Sequence, residues 1–390
     1  MKYDFDEVIA RQGTGCVKWD ESPSTDVIPL WVADMDFAVA PAIQEAIKRR
    51  VQHPVFGYTY VQEDYYAAVI SWFQRRHGWK IKREWMLYTI GVVPAMSVAI
   101  KALTMPGERV LILSPDYNCF FSSIKNNGCE VAESVLRLSR NIQKRFEVDW
   151  QDFEAQCANE KTTVFLLCNP HNPTGRVWTR EELQQMADIC HRHGVRIVSD
   201  EIHCELIMPG HTFVPMGTVD EDAIILNSPS KSFNIAGLQM ANIICQDAET
   251  RRRLDRAINI NEVCDVNPFA PEAVKAAYND SEEWIDALNL YLWDNYSALC
   301  DFVAHHLPQW KVMPLEGTYL VWVDVSACCD ACCDSVATYC EELLEKAKVW
   351  LNPGTMYGPT SGEGYLRINI ACPRSLLMEA LERIRKLTKK

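Results

Sequence analysis

The chain has 390 residues, of which 48% are hydrophobic; this is enough for a large buried core and favours two domains over one. Its formal net charge of −13 argues against a nucleic-acid or membrane-surface partner, because neutralising phosphates requires clustered Lys and Arg. The start "MKYDFDEVIARQG" has no apolar signal core, and no uncharged apolar run of membrane-spanning length occurs. We therefore expect a cytoplasmic protein that acts on a small molecule.

The two ends of the chain are predicted to form a smaller domain together. The first 45 residues include "VIPLWVADMDFAVAP" and are expected to pack with the C-terminal part. After residue 285, the helical segment "WIDALNLYLWDNYSALCDFVAHHL" precedes the strand-like "GTYLVWVDV" and "YLRINIA" and a last amphipathic helix. This pattern predicts a small α+β domain from residues 1–45 and 286–390, and a large domain from residues 46–285.

Five apolar runs between residues 85 and 245 predict the sheet of the large domain: "RVLILSP", "TVFLLCNP", "VRIVSDE", "AIILNSPS" and "ANIICQD". Their apolarity is continuous rather than alternating, which indicates strands buried on both faces of a mostly parallel α/β sheet covered by helices. Ligands bind at the carboxyl ends of the strands in such sheets. Here those ends carry Tyr117, Asn172, Asp200 and Lys231.

The sixteen cysteines are interpreted as reduced thiols, because most lie singly in apolar or helical stretches. The exception is "SACCDACCDS", where Cys328 and Cys332, or Cys329 and Cys333, would share a helix face. A metal site would need a second, distant CxxC or a pair of histidines, and neither accompanies this cluster. We interpret the cluster as incidental thiols and predict no metal.

The four side chains at the strand ends match what pyridoxal phosphate (PLP) requires. Lys231 would form a Schiff base with the cofactor, and Asp200 would keep the pyridine nitrogen protonated. Asn172 would donate to the ring oxygen, and the ring of Tyr117 would stack on the cofactor face. Taken singly, Asp200 is equally a helix cap, Asn172 a turn residue and Tyr117 a core aromatic, but their joint spacing favours the cofactor site.

The segment "TIGVVPAMSVAI" predicts the site for the cofactor phosphate. A glycine turn precedes Pro94, which we place at the first helical position, and the N-terminus of a helix binds anions. The backbone N–H groups of Val92 and Val93 can donate there, whereas Pro94 has none. Ser228 and Ser230, just before the lysine, are expected to add hydroxyl groups.

Five segments in this order resemble the fold-type I PLP enzymes of the class I/II aminotransferase superfamily: "GVVPAM", "CNPHNPTG", "SDEIH", "SPSKSFNIAGLQ" and "YLRINIACPRS". The segments "RQGTGCVKWD", "WVADMDF", "FGYT" and "SKSFN" are similar, more narrowly, to its cystathionine β-lyase-like C–S lyases. The resemblance spans almost the whole chain. It implies a seven-stranded, mostly parallel sheet in the large domain, PLP as cofactor and a homodimer.

By this resemblance, further residues receive roles. Arg367 in "YLRINIA" would bind the substrate α-carboxylate, which suits its bidentate fork, and Ala33 would lie against the substrate. Tyr58 in "FGYT" would reach the cofactor phosphate of the neighbouring subunit. His203 stands in the cofactor site where aminotransferases of the superfamily usually carry a tyrosine. Gln239 stands where a basic residue often binds phosphate, so phosphate binding would depend more on the helix N-terminus.

Three functions remain open at the level of sequence. The first is β-elimination from cystathionine or another cysteine S-conjugate, which yields a thiol, pyruvate and ammonia. The second is transamination, which needs the same residues around the cofactor. The third is a binding protein with incidental catalysis, against which the intact set of Lys231, Asp200 and Arg367 speaks.

Overall fold

The computed structural model describes residues 3–139, 144–332 and 335–388. Within them the strands are β1 (Ile28–Pro29), β2 (Met86–Thr89), β3 (Arg109–Ser114), β4 (Glu130–Val135), β5 (Arg137–Leu138), β6 (Phe146–Glu147), β7 (Thr162–Cys168), β8 (Arg196–Asp200), β9 (Ile224–Asn227), β10 (Ala241–Ile244), β11 (Lys311–Val312), β12 (Leu320–Asp324), β13 (Val349–Trp350), β14 (Asn352–Pro353) and β15 (Tyr365–Asn369). The helices are α1 (Val17–Asp20), α2 (Pro41–Val51), α3 (Glu63–His77), α4 (Val92–Leu103), α5 (Asn118–Asn126), α6 (Trp150–Cys157), α7 (Arg180–Arg192), α8 (Ala248–Ile260), α9 (Ala270–Asp280), α10 (Glu282–His306), α11 (Ser326–Cys332), α12 (Val336–Glu342) and α13 (Arg374–Thr388).

A seven-stranded sheet in the order β2-β10-β9-β8-β7-β3-β4 forms the centre of the molecule. All its strands run in one direction except β10, which is antiparallel to both of its neighbours. The predicted mostly parallel sheet is confirmed, and all five apolar runs that we assigned to it are strands. The last of them, "ANIICQD", is the one that runs in the opposite direction.

Helices cover this sheet on both faces, as the continuous apolarity of its strands predicts. Along β3, Val110 and Ile112 belong to the apolar core under α4 and α8, whereas Leu111 and Leu113 belong to the core on the other face. Helices α6 and α7 pack against this second face through β7 and β8. Successive side chains of a strand point to opposite faces, so a strand between two cores needs apolar residues at every position.

The parallel run of neighbouring strands decides where the predicted site residues lie. Tyr117 follows β3, Asn172 follows β7, Asp200 ends β8 and Lys231 follows β9. These four strands are adjacent in the sheet and parallel, so their carboxyl ends share one edge. This edge therefore brings together groups that are more than a hundred residues apart in the chain.

Helix α4 begins at Val92, so the prediction that Pro94 is the first helical residue is wrong by two positions. The first turn closes when the N–H of Ala95 donates to the carbonyl oxygen of Gly91 at 3.0 Å. Pro94 is thus the third residue of the helix. This position tolerates proline because the first N–H groups of a helix have no partner within it.

A second, antiparallel sheet is formed near the C-terminus by β11, β12, β15 and β14. The short strand β1 pairs in parallel with β13, which ties the N-terminal segment to this part of the chain, whereas α2 packs on α9. The predicted division between residues 46–285 and the two terminal segments stays a prediction. Among the described residues, no helix is long and apolar enough to cross a membrane.

The cysteine cluster is only partly described. Cys328 and Cys329 are buried on α11, while Cys333 and the side chain of Cys332 lie outside the described residues. The interpretation of this cluster as incidental thiols therefore stays a prediction. The cysteine side chains that the structure describes elsewhere are free thiols, in agreement with the reduced state expected from the sequence.

Candidate active site

A cavity of about 180 Å³ lies at the carboxyl edge of the central sheet. It is lined by Ala33, Gly91, Val92, Val93, Pro94, Tyr117, Cys168, Asn172, Asp200, Ile202, His203 and Lys231. Most of the residues singled out from the sequence are in this lining. Ser228, Ser230, Arg367 and Tyr58 are not.

Lys231 presents its amine beside this cavity. Its Nζ donates a hydrogen bond to the carbonyl oxygen of Ala33 at 2.7 Å. Burial lowers the pKa of Lys231 below its usual value, and the positive charge of Arg367 acts in the same direction, while Asp34 and Asp200 oppose them. A lysine with a lowered pKa is a better nucleophile and base near neutral pH, because more of it is unprotonated.

Asp200 is a buried carboxyl group at the end of β8. Burial raises its pKa to about 7, although the N–H of Ile202, which donates to Oδ1 at 3.1 Å, and the charge of Lys231 both act to lower it. An acid in such surroundings gains strongly from a cationic N–H partner in the cavity. The protonated nitrogen of a pyridine ring is a partner of this kind.

Arg367 on β15 contacts Asn172, which lines the cavity. Its Nη1 donates to Oδ1 of Asn172 at 3.2 Å, and its Nη2 donates to the carbonyl oxygen of Trp31 at 2.8 Å. The guanidinium lies 4.6 Å above the ring centre of Tyr357. Its Nε is buried without a hydrogen-bond partner among the described residues, so a donor remains for an anion.

His203 and Tyr117 present polar atoms in apolar surroundings. Burial lowers the pKa of His203 to about 3, with further lowering by Lys231 and Arg367, so its imidazole is neutral at physiological pH. Its Nδ1 is buried, and no partner for it exists in the part of the chain that the structure describes. Burial also raises the pKa of Tyr117, which keeps its hydroxyl protonated. Both groups suit a polar ligand with its own hydrogen-bonding atoms.

The first turn of α4 forms part of the cavity wall. Val92 and Val93 are its first two residues, and both line the cavity. The hydroxyl of Ser228 instead donates to the carbonyl oxygen of Met240 at 2.6 Å and accepts from the N–H of Ser230 at 3.1 Å. This geometry does not support the expected contribution of Ser228 to an anion site.

Tyr58 is remote from the cavity of its own chain. Its side chain is fully exposed, and Val55, Phe56 and Tyr60 around it are also largely exposed. Aromatic and aliphatic side chains exposed together are uncommon on a monomer surface and are typical of a contact region. The structure thus separates Tyr58 from the other predicted site residues.

Residues 31–37, which we call the strap, cross the edge of the cavity without regular secondary structure beyond β1. Their carbonyl groups accept hydrogen bonds from side chains: Arg367 and Asn352 at Trp31, Asn369 at Val32, Lys231 and Tyr319 at Ala33, Asn369 and Lys18 at Asp34, Arg11 and Asn234 at Met35, and Asn234 at Phe37. The strap therefore connects the segment that carries Lys231 and Asn234, strand β15 and the N-terminal segment.

Sequence reasoning missed Tyr319, Asn234 and Asn369, which bind the strap. One signal was available for Asn369, because it lies two residues after Arg367 in a strand and so points to the same face. Asn234 lies in the quoted "SKSFN" segment, but its backbone φ of +56° could not be read from the letters. Tyr319 sits in an apolar run where a core position is the simpler interpretation.

Comparison with known proteins places this geometry in a family. The family model for aminotransferase class I and II matches residues 25–384. The chain belongs to this family. Cystathionine beta-lyase PatB from Bacillus subtilis is 39% identical, over 98% of this chain and 99% of that protein. The resemblance drawn from the motifs is confirmed, and so is the fold class.

Two solved structures are similar over nearly the whole chain. Cystalysin from Treponema denticola, whose structure contains a pyridoxal 5'-phosphate cofactor, superposes with a TM-score of 0.94 at 34% identity and covers 100% of this chain and 99% of its own. The PLP-bound C–S lyase from Staphylococcus hominis gives a TM-score of 0.91 at 32% identity, with 98% of each chain covered. Both are PLP proteins with the same architecture as this chain.

We predict that Asp200→Asn stabilises the cofactor-free protein at high pH. The folded-state pKa of about 7 exceeds the unfolded value near 3.8, so the stability of the wild type falls as the pH rises through this window. The asparagine variant has no carboxyl group to ionise here, so its free energy of unfolding at pH 8 should exceed that of the wild type by on the order of 2–4 kcal/mol. Urea unfolding of both proteins between pH 4 and pH 8 measures the difference, which should shrink toward pH 4. A difference that does not change with pH would contradict the assignment.

Proposed function

We propose that the protein is a PLP-dependent C–S lyase that cleaves cystathionine or a related cysteine S-conjugate to a thiol, pyruvate and ammonia. The observation that carries this proposal is the meeting of Lys231, Asp200 and the Arg367–Asn172 pair around one cavity. The reaction type is supported by the curated and structural relatives, which are named cystathionine beta-lyase and C–S lyase.

Several groups of the chain fit PLP. Lys231 would hold the cofactor covalently, and the buried Asp200 would pair with its ring nitrogen. The first turn of α4 would bind its phosphate through the N–H groups of Val92 and Val93. The unpartnered Nδ1 of His203 and the amide of Asn172 would serve the remaining polar atoms. When bound, the cofactor supplies an electron-accepting ring that stabilises negative charge at the substrate Cα.

The protein side chains would have separate roles toward the substrate. Arg367 would bind the α-carboxylate and so hold the Cα–H bond toward Lys231. The free amine of Lys231, whose pKa is lowered by burial, would accept the Cα proton at Nζ. Nζ would afterwards return this proton to the departing sulfur, which leaves as a thiol. Ala33 would limit the size of the substrate near Cα.

Transamination is the second candidate, because the matched family is named for it and would use the same side chains. His203 favours elimination by comparison, since aminotransferases of the superfamily usually carry a tyrosine at this position. The two reactions differ in their products and in their need for a keto acid. The cytoplasmic location expected from the sequence stays a prediction.

We expect the purified holoenzyme to form pyruvate and a thiol from cystathionine in the absence of any keto acid. A coupled lactate dehydrogenase assay measures the pyruvate, and a thiol reagent measures the second product. Lys231→Ala is the control and should lose turnover, because both the covalent bond to the cofactor and the base are removed. If amino groups pass readily to a keto acid while pyruvate never forms, the protein is an aminotransferase.

Arg367→Lys should lower kcat/KM for the thioether substrate on the order of 100-fold, because a point charge replaces a bidentate fork. Cofactor content, measured by visible absorbance, should stay near the wild-type value, since Lys231, Asp200 and the first turn of α4 are unchanged. Arg383→Lys is the matched control, because Arg383 pairs with Glu379 on the surface. Equal kcat/KM values for the two variants would remove Arg367 from its role.

We also propose that the working unit is a homodimer in which Tyr58 completes the neighbouring subunit's phosphate site. The exposure of Tyr58 and of the apolar side chains around it supports this arrangement. The predicted domains, residues 46–285 and residues 1–45 with 286–390, would each keep their own core within such a dimer.

Mixing two inactive variants tests the shared site. Tyr58→Ala and Lys231→Ala should each be strongly impaired alone. After subunit exchange, half of the dimers carry one complete site, so activity should return to about a quarter of the wild-type level. No rise above the sum of the two parents, or a fully active monomer in sedimentation, would contradict the proposal.

A further inference from the structure

The carbonyl oxygen of Ala33 accepts two hydrogen bonds at the cavity. One comes from Nζ of Lys231 at 2.7 Å and the other from the hydroxyl of Tyr319 at 2.9 Å. A carbonyl oxygen has two lone pairs, so these two donors use its full capacity. The Ala33 carbonyl oxygen and the Tyr319 side chain thereby determine the direction in which the amine of Lys231 points.

Packing and a backbone hydrogen bond hold Tyr319 in place. It is fully buried just before β12, and its ring meets the ring of His203 edge-on at 5.9 Å between centres. Its own carbonyl oxygen accepts from the N–H of Ile370 at 3.0 Å. A packed ring with fixed backbone presents its hydroxyl at one place, so Tyr319 is suited to orient the Ala33 carbonyl.

We propose that the Ala33 carbonyl is the acceptor that holds the amine of Lys231 whenever this amine is free, and that Tyr319 is the positioning residue that directs it there. The role in turnover rests on the proposed lyase function. The contact itself is a property of the polypeptide and is independent of that function.

The arrangement has a chemical consequence for a base. A neutral amine has two N–H bonds and one lone pair, and the hydrogen bond to Ala33 uses one N–H. The lone pair then points away from Ala33 and remains free to accept a proton. With Tyr319 on the second lone pair of the carbonyl oxygen, only one site is left for Nζ, and the amine cannot move between two positions.

The surroundings of Lys231 allow this contact to be isolated experimentally. The charged and titratable groups that act on its amine, besides Tyr319, are Asp34, Asp200, Arg367, Cys119 and His203. A Tyr319→Phe substitution removes one hydroxyl group and leaves all of these in place. Tyr296→Phe is a matched control, because the Tyr296 hydroxyl also donates to a backbone carbonyl, that of Met313 at 3.1 Å, away from the cavity.

The first measurement uses cofactor-free protein. The rate of Lys231 acylation by acetic anhydride is followed against pH by peptide mass spectrometry, with the exposed Lys80 as internal reference. In Tyr319→Phe both lone pairs of the Ala33 oxygen are open to the ammonium form of Lys231, which is therefore stabilised. The midpoint of the pH dependence of acylation should then rise by about 0.5 pH units. Tyr296→Phe should match the wild type.

The second measurement is steady-state kinetics of the holoenzyme with cystathionine. Tyr319→Phe should lower kcat by roughly 5- to 10-fold, while KM stays within about a factor of two, since Arg367 still binds the carboxylate. A Lys231 acylation profile that is the same in both tyrosine variants overturns the inference, whatever the kinetics. If the wild type forms no pyruvate, the proposed function fails, while the acylation profile still decides this contact.

Discussion

The site depends on one constraint: the backbone carbonyl groups of the strap, residues 31–37, need hydrogen-bond donors. A buried backbone carbonyl without a partner costs about 1–3 kcal/mol, and this segment lacks neighbouring strands to satisfy most of its groups. Side chains do so instead, and they include Lys231, Arg367 and Asn369. The groups that would bind substrate and remove its proton are therefore the same groups that hold the strap. The same contacts thus serve the proposed reaction and the stability of the strap.

Ion pairs, one of them between two buried residues, also hold the strap in place. Lys18 is fully buried and its Nζ lies 2.7 Å from Oδ2 of Asp36, while Arg11 bridges Asp34 and Asp36. Burial opposes ionisation, but Lys18 holds the pKa of Asp36 below its usual value. Buried ion pairs of this kind add little net stability, because desolvation offsets their attraction, but removing one partner is costly. Their effect here is to fix the position of the strap, and with it the carbonyl of Ala33.

The sequence allowed the sheet and the groups at its edge to be predicted, because both follow local patterns. Continuous apolar runs identified strands buried on two faces, and the polar residues after them, such as Asp200 and Lys231, had to meet where parallel strands end. The contacts of the strap follow no such pattern. Lys231 and Ala33 are 198 positions apart, and Tyr319 and Ala33 are 286 apart. A side chain that binds a distant backbone atom leaves no periodicity, so only the folded chain reveals it.

The electrostatics of the cavity connect this architecture to its proposed ligand. Burial raises the pKa of Asp200 and lowers the pKa values of Lys231 and His203, so each group is pushed toward its neutral form. A fold that buries these groups loses the stability that water would give to their charges. A ligand with a cationic ring nitrogen beside Asp200 stabilises the ionised carboxylate inside the protein. This stabilisation contributes to the binding free energy of the ligand. The same burial that lowers the pKa of the Lys231 amine thus makes the cavity selective for a partner with complementary charge.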